Sequence, residues 1–103
     1  MLTARDPLVD EFRTMLLDTP LHGLAGAFAV VLDADLRRSN ALIPVPTLVV
    51  AGRDDTVTLA SHSEQIAAAI PGAKLIVLPA VHLTNVELPM EFMDAVLRFL
   101  AAT

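Results

Sequence analysis

The sequence predicts an α/β fold: two parallel strands in a βαβα arrangement, part of a doubly wound sheet, with two helices in front of it. Three observations lead there. Residues 47–51 (Thr-Leu-Val-Val-Ala) and 74–78 (Lys-Leu-Ile-Val-Leu) are short apolar, β-branched runs without alternation, the pattern of strands covered on both faces. A helical segment lies between them, and a strand–helix–strand unit of this length places its strands parallel through a right-handed crossover. Before Ile43, two segments carry apolar residues at helical spacing, the second ending near Asp33-Ala34-Asp35.

In chain order, Asp6-Pro7 is a helix start, with Asp6 as cap and Pro7 at the first helical position. Val9, Phe12 and Leu16 recur on one face of that helix. Thr19-Pro20 starts a second helix, whose stripe is Leu21, Leu24, Phe28 and Leu32 and whose end falls near Asp33-Ala34-Asp35. The simplest arrangement for two such stripes is a helical hairpin packed on the rest of the domain. Ile43-Pro44-Val45-Pro46 excludes a helix and leads into the first strand, which ends in the turn Gly52-Arg53-Asp54-Asp55. Ser61 with Glu64 has the spacing of a capping box, opening a helix that carries Ile66, Ala67 and Ile70 and stops at Pro71-Gly72. After the second strand, a loop runs through His82. Pro89 opens the last helix, with Glu87 and Glu91 near its positive end and Phe92, Val96, Phe99 and Leu100 as its buried face. Two strands that read as covered and paired on all sides do not complete a sheet, so the pattern is that of part of a larger one.

Composition narrows the function classes. The chain has 103 residues, enough for one small domain, and 54% of them are hydrophobic. That share is high for the size, and part of it is expected to meet a surface outside these residues. Twelve acidic against seven basic residues give a formal charge of −5, which argues against nucleic acid as a partner. The absence of cysteine excludes disulfides and thiolate metal sites, and His22, His62 and His82 have no metal-ligand spacing. No signal peptide is expected, and no apolar stretch approaches the roughly 20 residues of a membrane helix. A soluble cytoplasmic protein without a membrane partner is the expectation.

In open parallel sheets, functional residues gather beyond the carboxyl ends of the strands. Here those ends lead into Gly52-Arg53-Asp54-Asp55 and into Pro79-Ala80-Val81-His82. An acid, Asp54 or Asp55, and a histidine, His82, therefore leave adjacent strands on one edge. A carboxylate so placed can hold the imidazole Nδ1–H and stabilise the imidazolium. The joint order of strand, GxxD turn, helix, strand, loop, histidine and helix carries more weight than either residue alone. His22 and His62 read as solvated helix-start residues, Arg53 as a turn residue, and Met15, Met90 and Met93 as packing. Ser39, Ser61 and Ser63 are the only serines, and none lies in Gly-x-Ser-x-Gly; Gly23-Leu24-Ala25-Gly26 lacks the hydroxyl.

Residues 45–55, Val-Pro-Thr-Leu-Val-Val-Ala-Gly-Arg-Asp-Asp, resemble the sixth strand and acid turn of the α/β-hydrolases. Residues 70–75 and 79–89, ending in His-Leu-Thr-Asn-Val-Glu-Leu-Pro, resemble the last strand, histidine loop and final helix of that family, and within it the 3-oxoadipate enol-lactonases most. Residues 12–17 and 33–37 are similar to the end of the lid helices of those enzymes. Leu59 stands where the family often has proline, and Val81 where a small residue is common.

The resemblance implies one partial α/β-hydrolase domain: residues 1–42 as the end of the lid helices and a connector, and 43–103 as the C-terminal core. It makes Asp55 the triad acid and His82 the triad base, with no metal or organic cofactor, in hydrolysis of a small lactone or ester in aromatic catabolism by the β-ketoadipate route. The nucleophile and oxyanion hole would lie upstream of Met1, so these residues alone are expected to be inactive. The expected partners are an N-terminal hydrolase half or a second copy of the chain. Two alternatives remain open: another carboxylic-ester hydrolase, and a non-catalytic remnant or interaction module.

Overall fold

The computed structural model describes residues 6–103; the first five residues of the 1–42 segment lie outside them. The chain divides into two compact units at Asp35/Leu36. The first comprises α1 (Pro7–Asp18) and α2 (Leu21–Asp33). The Asp6 carboxylate accepts from the Leu8 N–H at 2.9 Å and caps α1, with Pro7 opening the helix as its fixed φ favours. Thr19 closes α1 instead of capping α2: its hydroxyl donates to the Met15 carbonyl at 2.8 Å, and α2 starts without a side-chain cap. The expected hairpin does not form. The chain turns by 97° at the break between the two helices, because residues 19 and 20 both take extended backbone. Neither helix contains a buried residue, and Leu21, Phe28 and Leu32 of the α2 stripe are exposed. No single helix among the described residues is long and apolar enough to cross a membrane.

The second unit runs α3 (Arg37–Asn40), β1 (Leu48–Gly52), α4 (Ala60–Ala69), β2 (Lys74–Leu78), α5 (Thr84–Glu87) and α6 (Pro89–Ala102). The strands are parallel, in register from Leu48 opposite Lys74 to Gly52 opposite Leu78. Both α4 and α6 pack on both strands. Gly72, at φ +70°, makes the turn that ends the crossover and returns the chain to the sheet, a left-handed conformation glycine adopts without penalty.

Three expectations need correction. Ser61 does not cap α4; the helix already starts at Ala60, behind Leu59. Leu100 is 59% exposed, so the covered face of α6 is Ala95, buried, with half-buried Phe92, Val96 and Phe99. The strands are only half covered: the β1 residues 48–50 are intermediate and Val77 is 44% exposed. The buried residues of the strands are Ala51, Gly52 and Leu78, all at the carboxyl ends. The buried part of the strands therefore lies where the loops that carry Asp55 and His82 leave the sheet.

Candidate active site

The loops after β1 and β2 are joined backbone to backbone before any side chain is considered. The Arg53 N–H donates to the Leu78 carbonyl at 2.8 Å and the Asp54 N–H to the Ala80 carbonyl at 3.0 Å. Gly52 makes this approach sterically feasible. A Cβ there would fall 2.7 Å from the Ala80 carbonyl oxygen and closer still to that of Val81. Ala80 is 1% exposed beneath the crossing.

The turn then presents Asp55, whose side chain is 6% exposed. Oδ1 accepts from the N–H groups of Val57 at 2.9 Å and Thr58 at 3.1 Å, so the backbone of the turn fixes the carboxylate. Oδ2 accepts from the Thr58 hydroxyl at 2.9 Å and lies 2.8 Å from Nδ1 of His82. Burial pushes the Asp55 carboxyl up, but the bonds from His82, the Val57 and Thr58 backbone and the Thr58 hydroxyl outweigh it. The net effect holds the group well below the usual carboxylate range. An ionised carboxylate can only accept, so Nδ1 carries the proton. That tautomer leaves the Nε2 lone pair available as a base, and among the described residues nothing hydrogen-bonds Nε2. The His82 side chain is 51% exposed.

The histidine loop has its own brace. Glu87 Oε2 accepts from the Val81 N–H at 3.0 Å, a contact that holds the Glu87 carboxyl below its ordinary value. Glu87, expected only as a charge near the last helix, thus ties both ends of the loop around His82.

The structure brings Asp55 and His82 together and keeps Asp54 apart from them. Asp54 turns outward and pairs with Arg53 at 3.2 Å, both side chains more than half exposed. His22 and His62 are exposed on α2 and α4, and the Ser39 hydroxyl donates to the Leu36 carbonyl. Thr58 was missed by sequence reasoning: a threonine in a turn is unremarkable until the histidine from the other strand is placed beside it. An apolar hollow of about 160 Å³, lined by residues including Leu48, Lys74 and Phe99, lies toward the other end of the strands and does not touch the pair. No group of three or more metal-ligating side chains occurs among the described residues.

No family model matches the sequence. The chain is 36% identical over 89 residues to a 3-oxoadipate enol-lactonase of Acinetobacter baylyi, a match covering 86% of this chain and 34% of that enzyme. A solved hydrolase of Pseudomonas aeruginosa superposes with a TM-score of 0.91 at 60% identity, over 94% of this chain and 37% of that one. An enol-lactonase structure from Burkholderia xenovorans matches at a TM-score of 0.65 and 36% identity, over 67% of this chain and 26% of that one. The chain thus spans about a third of the length of the curated relative.

Proposed function

We propose, from the premise that the chain belongs to the α/β-hydrolase family and carries the C-terminal part of its fold, that it supplies the acid and base of a serine-type lactone or ester hydrolase. The observation that carries the reading is the 2.8 Å contact between His82 Nδ1 and a buried, backbone-fixed Asp55 carboxylate. In the proposed reaction, a serine hydroxyl from outside these 103 residues attacks the substrate carbonyl. His82 Nε2 takes its proton and passes it to the leaving alkoxide or enolate oxygen as the C–O bond of the substrate breaks. Neutral again, it deprotonates a water that attacks the acyl-serine and releases the acid and the serine hydroxyl. Asp55 keeps the imidazole in the Nδ1–H tautomer and offsets the charge it acquires. The likeness to enol-lactonases favours a small enol-lactone, with aromatic catabolism by the β-ketoadipate route in the cytoplasm as the setting.

The partner on this reading is the N-terminal part of an α/β-hydrolase, in the same polypeptide or a separate one. Half-covered strands and exposed Leu42, Val45 and Val57 support it, since such surfaces fit burial against further sheet and loop. The 103 residues alone should be inactive. Loss of the nucleophile costs on the order of 10⁶ in kcat in a serine hydrolase, and the remaining rate depends on an oxyanion hole. The test is hydrolysis of p-nitrophenyl acetate and of an enol-lactone by the purified chain, alone and combined with the N-terminal part of a related hydrolase. Turnover only in the combination, lost in His82→Ala, is expected. Turnover by the chain alone that disappears in His82→Ala would overturn the proposal and indicate a serine-independent reaction.

A further inference from the structure

Three polar atoms close a triangle at this site. Asp55 Oδ2 lies 2.8 Å from His82 Nδ1 and 2.9 Å from the Thr58 hydroxyl oxygen, and that oxygen lies 3.1 Å from Nδ1. Oδ1 already has two backbone donors, so Oδ2 is the oxygen left for side chains. The threonine has a single hydroxyl proton. An ionised carboxylate needs a donor, so the proton goes to Oδ2, and a lone pair of the same oxygen is left facing Nδ1. We propose that Thr58 is a positioning residue for the acid–base pair: its hydroxyl holds Oδ2 toward the imidazole and offers Nδ1–H a second acceptor, favouring the Nδ1–H tautomer. Thr58 acts through Asp55 and His82, the two side chains its hydroxyl meets. The role rests on the reading of those two residues as acid and base.

The geometry separates this role from simple turn filling. The Thr58 N–H bond to Oδ1 already closes the turn and survives any side-chain change. What the hydroxyl adds is directed at Oδ2 and Nδ1. Thr58 is exposed, so a change of its side chain leaves the buried positions of the unit in place.

The experiment uses this chain, labelled with ¹⁵N and ¹³C, and reads by NMR the tautomer of neutral His82 and the titration of the Asp55 carboxyl. Neither readout needs a nucleophile, so failure of the hydrolase reading in the assay above leaves the measurement interpretable. The wild-type ring should be mainly Nδ1–H. In Thr58→Val, which keeps the shape without the hydroxyl, the Nδ1–H to Nε2–H ratio should fall roughly three- to tenfold. The Asp55 carboxyl should titrate about half a unit to one unit higher. Thr58→Ser should restore both, and Thr58→Ala, should the valine disturb the fold, should repeat the loss. Unchanged tautomer and titration in Thr58→Val would overturn the proposal. So would a Thr58→Ser variant that behaves like Thr58→Val, since the methyl group would then be what matters.

Discussion

Asp55 sits in a turn that holds it with its own backbone, through N–H groups two and three residues away, and its side chain is nearly fully buried. His82 is half exposed, and its ring is held by Asp55 from 27 residues earlier in the chain and by Thr58 from 24 residues earlier. The acid turn is therefore a local structure, and the histidine loop a dependent one. The loop takes its place from Asp55, from the backbone bonds across Gly52 and from Glu87. A disturbance of the acid should reach the histidine, whereas a disturbance of the histidine loop should leave the acid turn standing.

The largest test of that asymmetry is catalytic. In a complete hydrolase containing these residues, Asp55→Asn should lower kcat by about 10⁴ while the fold survives. Asparagine still accepts the two backbone N–H bonds at Oδ1 but cannot hold Nδ1–H with an ionised oxygen. Steady-state kinetics beside a circular-dichroism spectrum read the two parts separately. A loss of fold that tracks the loss of rate would show the carboxylate to be structural first.

Gly52→Ala probes the same asymmetry from the other side. The new Cβ would collide with the Val81 and Ala80 carbonyl oxygens, which are backbone atoms and cannot swing away. The cost should be about 1–3 kcal/mol, as for overpacking. Amide exchange should rise across residues 79–88 and change little at Val57 and Thr58. Equal loosening of both segments would mean that the acid turn depends on the loop as much as the loop depends on it.

Much of this arrangement was legible in the sequence. The β2 bounds fell as expected because Pro71-Gly72 and Pro79 punctuate an unbroken apolar run. The meeting of Asp55 and His82 was legible because the loops that carry them leave adjacent parallel strands on one edge of the sheet. What could not be read has physical reasons. The four-residue helices α3 and α5 are too short to show a period. Thr19 and Ser61 have the residue types of caps, but a cap depends on backbone direction at one residue, which type alone does not fix. The triangle made by Thr58 depends on a contact 24 residues away. Apolar strands read as covered on both faces, yet coverage depends on neighbours that the pattern implies and these residues do not contain.

A graded effect should appear with pH. The Asp55 carboxyl titrates lower in the folded chain than the roughly 3.9 of an unfolded aspartate. Its stabilising contribution is therefore fully present above about pH 4 and is lost as pH falls through the lower folded value. Urea denaturation between about pH 6 and pH 2 should show wild type losing more stability in that acid range than Asp55→Asn does. Parallel curves would mean that the local bonds to Asp55 do not distinguish its ionised form.

The smallest effect is expected one residue away, and it checks the register of the whole assignment. Asp54 and Asp55 are adjacent carboxylates in the same turn, and sequence position alone barely separates them. The structure separates them by direction. Asp55 points into the crossing of the two loops, whereas Asp54 points out to an exposed pair with Arg53, whose guanidinium it pushes to a higher pKa. An exposed pair between neighbouring residues is screened by water and salt and contributes little. What Asp54 does supply to the site is its backbone N–H, donated to the Ala80 carbonyl, and Asp54→Asn retains that bond. The substitution should leave the melting temperature, the Nδ1–H tautomer of His82 and the kcat of a complete hydrolase within error of wild type, at low and high salt alike. A strong loss of rate in Asp54→Asn, with Asp55→Asn nearly silent, would move the acid by one position. The local backbone bonds to Asp55 would then be turn structure alone, and the contrast between a self-held acid and a dependent histidine would fail.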